Sequence, residues 1–340
     1  MIPSRRSLHG TSRSDHFVVG VDIGGTNTAV GVVDESGTLL RESRFSTNPS
    51  EGAVAFVKRL AHAMEDLLQS TGSVRAIGIA CPAVNMRKGV VENPANLGWG
   101  TVDLAGMLQE YFGVPITLLN DGDAAAIGEI RFGVARGLSH VVMLTLGTGL
   151  GAGIMVDGEL VRGTNGTGGE LGHIIVVPGG RMCACGRRGC AETYVSATGV
   201  CRTVVALQAD HTVASPLRDI PFANLTALRV FEFARDGDTM ARLAFEETGH
   251  HLGSLLANMA AIFDPEAFVL YGGLVHAGEL LLEPAVRSFQ ENVLERYKKS
   301  VKILVSHLND GQASILGAGA YALQTLTNQK AGKVKAMNPT

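Results

Sequence analysis

One histidine and three of the chain's five cysteines fall between Gly166 and Ala197: His173, Cys183, Cys185 and Cys190, with Glu170 and Glu192 beside them. One imidazole and three thiolates are a donor set that zinc takes tetrahedrally in structural sites. The Cys-x-Cys spacing is tighter than the usual C-x₂₋₄-C. Gly186 and Gly189 let the chain reverse between Cys185 and Cys190. A disulfide is the rival reading, but it leaves one thiol over and explains neither His173 nor the glycines. Four protein ligands leave no open coordination position, so a zinc ion here is structural and fixes the loops bearing Glu170 and Glu192. Five cysteines in 340 residues are no disulfide framework, and free thiols fit a reducing, cytoplasmic setting.

Other patterns suit phosphate. Residues 17–22 (FVVGVD) are an apolar run ending in Asp22, followed by Ile23-Gly24-Gly25-Thr26. Glycines let a phosphate approach backbone N–H groups, Thr26 adds a hydroxyl, and Asp22 can hold Mg²⁺ directly or through water. Gly147-Thr148-Gly149 repeats the pattern, and Gly272-Gly273, between an apolar run and a helix, suits the adenosine part of a nucleotide. Gly147-x-Gly149-x-x-Ala152 formally fits a dinucleotide fingerprint. That fingerprint must open a helix, whereas an apolar strand follows here, so a dinucleotide is excluded. No G-x-x-x-x-G-K-[ST] is present, which excludes the usual P-loop. Asn120 and Asp121 end the apolar run 116–119, where α/β folds bind ligands. Asp121 can take a proton from a substrate hydroxyl during phosphoryl transfer, with Asn120 hydrogen-bonding beside it. Helix capping by Asp121 or Asp123 is the competing reading.

These groups need a scaffold. Apolar runs at 17–22, 28–33 and 38–45 are separated by a Gly-Gly-Thr turn and by Asp34…Gly37. The same unit returns at 140–146, 152–156 and 159–162, with Gly147-Thr148-Gly149 and Asp157-Gly158 as its turns. A repeated three-strand unit indicates duplication, with two similar halves facing a cleft. Further strands are expected at 74–80, 116–119, 267–271 and 301–306. Helices are expected at 51–70, 123–131, 239–263, 277–297 and 312–325. Strands alternating with helices make an α/β fold. The chain is 46% hydrophobic, 18% charged and carries a net charge of −3, so it can bury a core and has no basic stripe for nucleic acid. No run of 18 apolar residues reaches across a membrane. Residues 1–16 are polar, lack the apolar core of a secretory signal and read as a disordered tail, with 331–340 as a second.

The motifs resemble the ROK family of sugar kinases and sugar-responsive repressors. The resemblance spans residue 17 to about 325. It rests on Asp22-Ile-Gly-Gly-Thr26, Asn120-Asp121, the run from Leu146 to Gly153, Glu170-x-Gly172-His173 and Cys183-x-Cys185-Gly-x-x-Gly-Cys190-x-Glu192. It implies the duplicated actin-like ATPase (ribonuclease H-like, hexokinase-type) fold. On that fold 17–121 form a small lobe, completed by about 312–330, and 122–311 a large lobe with the zinc and sugar loops. It implies ATP-dependent phosphorylation of a hexose, glucose to glucose 6-phosphate first. Kinases of N-acetylmannosamine, N-acetylglucosamine or fructose, and a non-catalytic sugar-sensing regulator, are the alternatives. Asp121 is then the general base. Asn96, Asn120, Glu170, His173 and Glu192 bind sugar hydroxyls, His173 turning one ring nitrogen to zinc and the other to the sugar. A homodimer or homotetramer is implied. The repressors carry a DNA-binding domain before the sugar domain, and the first strand expected at residue 17 favours the kinase. Three departures stand out. Asp123 replaces the family's Asn, Gly122 replaces Ala, and Cys81-Pro82-Ala83 replaces a Pro-Gly pair. Asn96 and Trp99 resemble the family's Asn-Leu-x-x-Trp segment near the sugar, one residue shorter.

Overall fold

The computed structural model describes residues 16–69, 73–94, 96–309 and 311–330. Two five-stranded sheets share one plan. In the first, β1 (His16–Ile23), β2 (Asn27–Asp34) and β3 (Leu39–Ser46) form an antiparallel meander, and β4 (Ser73–Ala80) runs parallel to β1. Three short strands, β5 (Val84–Asn85), β6 (Val90–Glu92) and β7 (Thr101–Val102), make a small separate sheet. The chain then returns as β8 (Ile116–Leu119), parallel to β4. In the second sheet the meander is β9 (Val141–Leu146), β10 (Leu150–Val156) and β11 (Glu159–Leu160). The parallel strands are β12 (Ala267–Tyr271) and β13 (Lys302–Val305). The orders β3-β2-β1-β4-β8 and β11-β10-β9-β12-β13 are the same arrangement. The duplication read from two glycine turns is therefore a duplication of whole sheets, as the two-lobe actin-like fold requires.

Each lobe has its own core. Helices α1 (Gly52–Leu68) and α2 (Leu104–Gln109) cover the first sheet, burying Phe56, Leu60, Met64 and Leu108 with Val21 and Ile79. Around the second sheet lie α4 (Ala197–Asp210), α5 (Ala227–Arg235), α6 (Thr239–Phe263) and α7 (Glu279–Asn292), with Phe245, Phe268 and Phe289 at the centre. Helices α3 (Asp121–Phe132) and α8 (Gln312–Lys330) lie against each other between the lobes. On its other side α8 rests on β1 and β4, and α3 on β9 and β10. Their approach is closer than side chains permit. A Cβ at Gly317 would fall 1.7 Å from the Ala124 carbonyl oxygen, and one at Gly128 would fall 2.2 Å from that of Ala313.

Most expected elements stand within two residues of their expected ends. The strands at 116–119 and 267–271 and the helix at 239–263 stand without change. Three expectations change. His16 belongs to β1, so the expected tail is shorter; 1–15 and 331–340 lie outside the described residues. The helix expected at 277–297 is broken, because Gly278 (φ +58°) starts α7 late and a separate turn, Glu295–Tyr297, follows it. Helix α3 begins at Asp121, which puts that carboxylate on its first turn. Among the described residues no helix is long and apolar enough to cross a membrane.

The α3–α8 contact generates a prediction. Any side chain at Gly317 must push the helices apart, and such overpacking costs about 1–3 kcal/mol. Gly317→Ala should lower the thermal midpoint by several degrees in a calorimetric scan. Gly113→Ala, where nothing lies within 4 Å of the added carbon, should leave it unchanged.

Candidate active site

Three carboxylates meet where the lobes join. Asp22 lies near the end of β1, paired with Ala29 and Ala80. Burial pushes its carboxyl up to about 7; Asp121 adds to this and Arg44 opposes it. Asp121 is raised by its own burial, partly offset by the Gly122 N–H, which donates to Asp121 Oδ1 at 2.8 Å. Asp123, 4% exposed, is pushed up to about 7 by burial and then by Asp121, with Arg162 opposing and Glu170 adding. Buried Cys81 has its thiol raised by burial, then by Asp121 and Asp22, and is no nucleophile near neutral pH. The capping reading is not what the geometry gives. The N-cap position belongs to Asn120, which makes no side-chain cap; its Oδ1 accepts from the Val84 N–H at 2.9 Å and ties the small sheet to the end of β8.

The departures in this region have local causes. Ala83 holds φ at +57°, the left-handed region that glycine enters freely, and Glu92 N donates to its carbonyl. Gly122 admits no side chain, since a Cβ would stand 2.3 Å from the Ala152 oxygen.

The two glycine turns bracket these carboxylates. Gly24 N donates to Asn27 O at 3.0 Å, and Thr47 Oγ1 donates to Gly24 O at 2.7 Å. Gly25 packs against exposed Asn96, and Thr26 is exposed. Trp99 faces away from this group: its Nε1 donates to Pro49 O at 3.2 Å and its ring packs 4.8 Å from Phe56, so it anchors the Asn96 segment on α1. In the second turn Gly147 N donates to Gly149 O at 3.0 Å. No helix follows, as β10 pairs back on β9, consistent with excluding a dinucleotide. Gly147, Thr148 and Gly273 open onto a cavity of about 440 Å³, walled by Phe231, Phe245 and Leu274. Gly272 (φ +102°) lets the chain pass the Leu146 carbonyl.

The donor quartet converges. One donor atom from each of His173, Cys183, Cys185 and Cys190 lies within 4.8 Å of the other three. His173 Nδ1 is 3.6 Å from Cys183 Sγ, and Cys185 Sγ is 3.6 Å from Cys190 Sγ. Zinc–sulfur bonds of about 2.3 Å at tetrahedral angles set sulfurs roughly 3.8 Å apart, so the spacing fits an ion. A disulfide requires about 2.05 Å, and all five cysteines are free. The other ring nitrogen, Nε2, faces Glu170 Oε2 at 4.0 Å, on the side away from the thiols. Glu192 joins two parts of the site, its Oε2 accepting from Leu150 N at 3.0 Å and its Oε1 lying 3.9 Å from Cys183 Sγ. At Gly189 (φ +83°) an added carbon would fall 1.8 Å from Val177 O.

The structure thus gathers Asp22, Asn120, Asp121, Glu170, His173 and Glu192 with both glycine turns. Sequence reasoning missed Arg44 and Arg162, which oppose the buried charge, and the cavity wall of Phe231, Phe245 and Leu274. An apolar wall reads as core in a sequence. The one clue is Leu228, apolar yet 65% exposed on α5.

Comparison with known proteins agrees with this geometry. The family model described as "ROK family" matches residues 18–325. A glucokinase of Halalkalibacterium halodurans is 32% identical over 326 residues, covering 94% of this chain and 98% of its own. An N-acetylgalactosamine kinase of a Shewanella species is 36% identical over 274 residues, covering 77% of this chain and 83% of its own. The crystal structure of a ROK family glucokinase from Streptomyces griseus in complex with glucose and AMPPNP is 35% identical, with a TM-score of 0.78. It covers 91% of this chain and 99% of that one.

The buried charge at Asp123 has a consequence for stability. Its folded pKa is raised from 3.8 to about 7. The folded state therefore holds a proton that the unfolded chain releases between about pH 4 and 7, so this group's contribution to stability falls as pH rises through that window. Asp123→Asn removes the ionisation. It should raise the thermal midpoint at pH 8, with the gain shrinking towards pH 5. A gain equal at both pH values would contradict the burial argument.

Proposed function

Given that the chain belongs to the ROK family and is an ATP-using hexose kinase, we propose that its acceptor is glucose, phosphorylated on the 6-hydroxyl with Asp121 as general base. The observation that carries the reading is the place of Asp121: half-buried, on the first turn of α3, beside both glycine turns and the His173–Glu170 pair. A base works best with a pKa near the operating pH, and burial moves Asp121 in that direction. Asn120 is held by Val84 and lines the same strand end. Glu170, His173, Glu192 and Asn96 supply acceptors and donors for the remaining hydroxyls, and carboxylates accept strong bonds from these. In the reaction the Asp121 carboxylate accepts the hydroxyl proton as the sugar oxygen bonds the terminal phosphorus. The phosphorus–oxygen bond to ADP breaks as the new bond forms.

Asp22 would hold Mg²⁺, whose charge screens the triphosphate; a carboxylate raised by desolvation and then by a like charge is a ready cation ligand. The quartet of His173, Cys183, Cys185 and Cys190 would hold a structural zinc, which supplies folding energy and no open coordination position. With Nδ1 on the thiol side, His173 presents Nε2 to the sugar, so the clip sets the orientation of the clamp.

ADP release with MgATP over a panel of sugars tests the function. Glucose should give the highest kcat/KM, above fructose and the N-acetylhexosamines. No turnover with any sugar, in protein that binds sugar, would identify a non-catalytic sensor. Asp121→Asn keeps size and hydrogen bonding but cannot take a proton, so kcat should fall by ~10²–10⁴-fold while glucose affinity changes far less by calorimetry. A near-normal kcat would remove Asp121 from its role. Elemental analysis should find about one zinc per chain, as four convergent protein ligands bind one ion. Chelation should lower the thermal midpoint. Absence of zinc together with reactive thiols in fresh protein would contradict the metal assignment.

A further inference from the structure

We propose that the nucleobase is selected by the shape of an apolar wall and not by hydrogen bonds to its edge, with Leu228 and Phe231 of α5 as the residues that set donor specificity. The inference rests on the reading above, in which the cavity beside Gly147, Thr148 and Gly273 takes the nucleoside of ATP.

The wall is apolar. Phe231 stands edge-on to Phe245, ring centroids 6.5 Å apart at 84°, so a buried ring holds it in place. Leu274 lies opposite in sequence terms, on the turn Gly273–Ala277. Leu228 lines the same cavity and is 65% exposed. A flat two-ring base laid over Leu228 and Phe231 removes that apolar surface from water.

The polar side chains lining the cavity are Thr148, Thr226 and His276. Thr226 Oγ1 accepts from Arg229 N at 3.2 Å and serves as the N-cap of α5. Thr148 belongs to the phosphate turn, where the triphosphate enters. His276 already has an interaction of its own within the protein. Two backbone N–H groups of the adjoining turn are already paired, Val275 N to Gly272 O and Gly278 N to Val275 O, both at 3.0 Å. Sites that hydrogen-bond a distinguishing group reject its analogue by ~10⁴–10⁵, whereas apolar pockets separate similar shapes by only ~10–200-fold. Adenine and guanine share their ring outline and differ at the edge, so this wall treats them alike.

Calorimetric titration of the whole chain with AMPPNP and with its guanosine counterpart, in saturating glucose and Mg²⁺, tests this. The two Kd values should lie within about tenfold of each other, the lower end of apolar discrimination. Leu228→Ala, at an exposed position that leaves the core intact, should weaken both nucleotides by about three- to tenfold with their ratio and glucose affinity unchanged. A preference for adenosine above tenfold would overturn the proposal. So would Leu228→Ala leaving both affinities at the wild-type value, or a ratio that moves beyond tenfold in His276→Ala. Failure of the underlying reading looks different: neither purine nucleotide would bind although glucose does, and the proposal would fall with it.

Discussion

Burying like charges is the constraint around which this molecule is arranged. Asp22 and Asp121 are half-buried and Asp123 is buried, and Asp121 raises the cost of ionising both of the others. Such an arrangement destabilises a fold unless cations or ligands offset it. Arg44 and Arg162 do so in part. The remaining imbalance is what the proposed magnesium ion and the proposed proton transfer to Asp121 would relieve.

The glycines of the lobe junction make that burial possible. Asp121 reaches its place because α3 can press its first turn on β10 and its length on α8 with no side chain between them, at Gly122, Gly128 and Gly317. The two sheets, built on one plan, contribute one glycine turn each, and the helix pair between them carries Asp121. Beside them, Glu192 links the Cys-His quartet to the residue that follows the second glycine turn. Asp121, both glycine turns and the Cys-His quartet are thus joined through a few short contacts.

Much of this was legible in the sequence. Glycine turns with flanking apolar runs announced both meanders because turn chemistry is local. The His-Cys quartet was legible because ligand types and reversal glycines are close in sequence. What stayed hidden depends on distant contacts. The small sheet is made of strands two or three residues long, too short for any period to register. Trp99 belongs to a segment that resembles one near the sugar, and its own partners, Pro49 and Phe56, are about 40 to 50 positions away in the chain. The tie from Glu192 to Leu150 spans 42 positions, and the base wall is assembled from residues that a sequence presents as core.

The claim that burial tunes Asp121 is tested most directly by the pH dependence of kcat/KM for glucose at saturating MgATP. An acid limb reports ionisation of the base in the free enzyme, coupled here with Asp22. The account predicts that the rate falls on acidification with a midpoint displaced above the ordinary aspartate value. A rate that holds steady until the pH nears about 3.9, the value of an unperturbed aspartate, would contradict it.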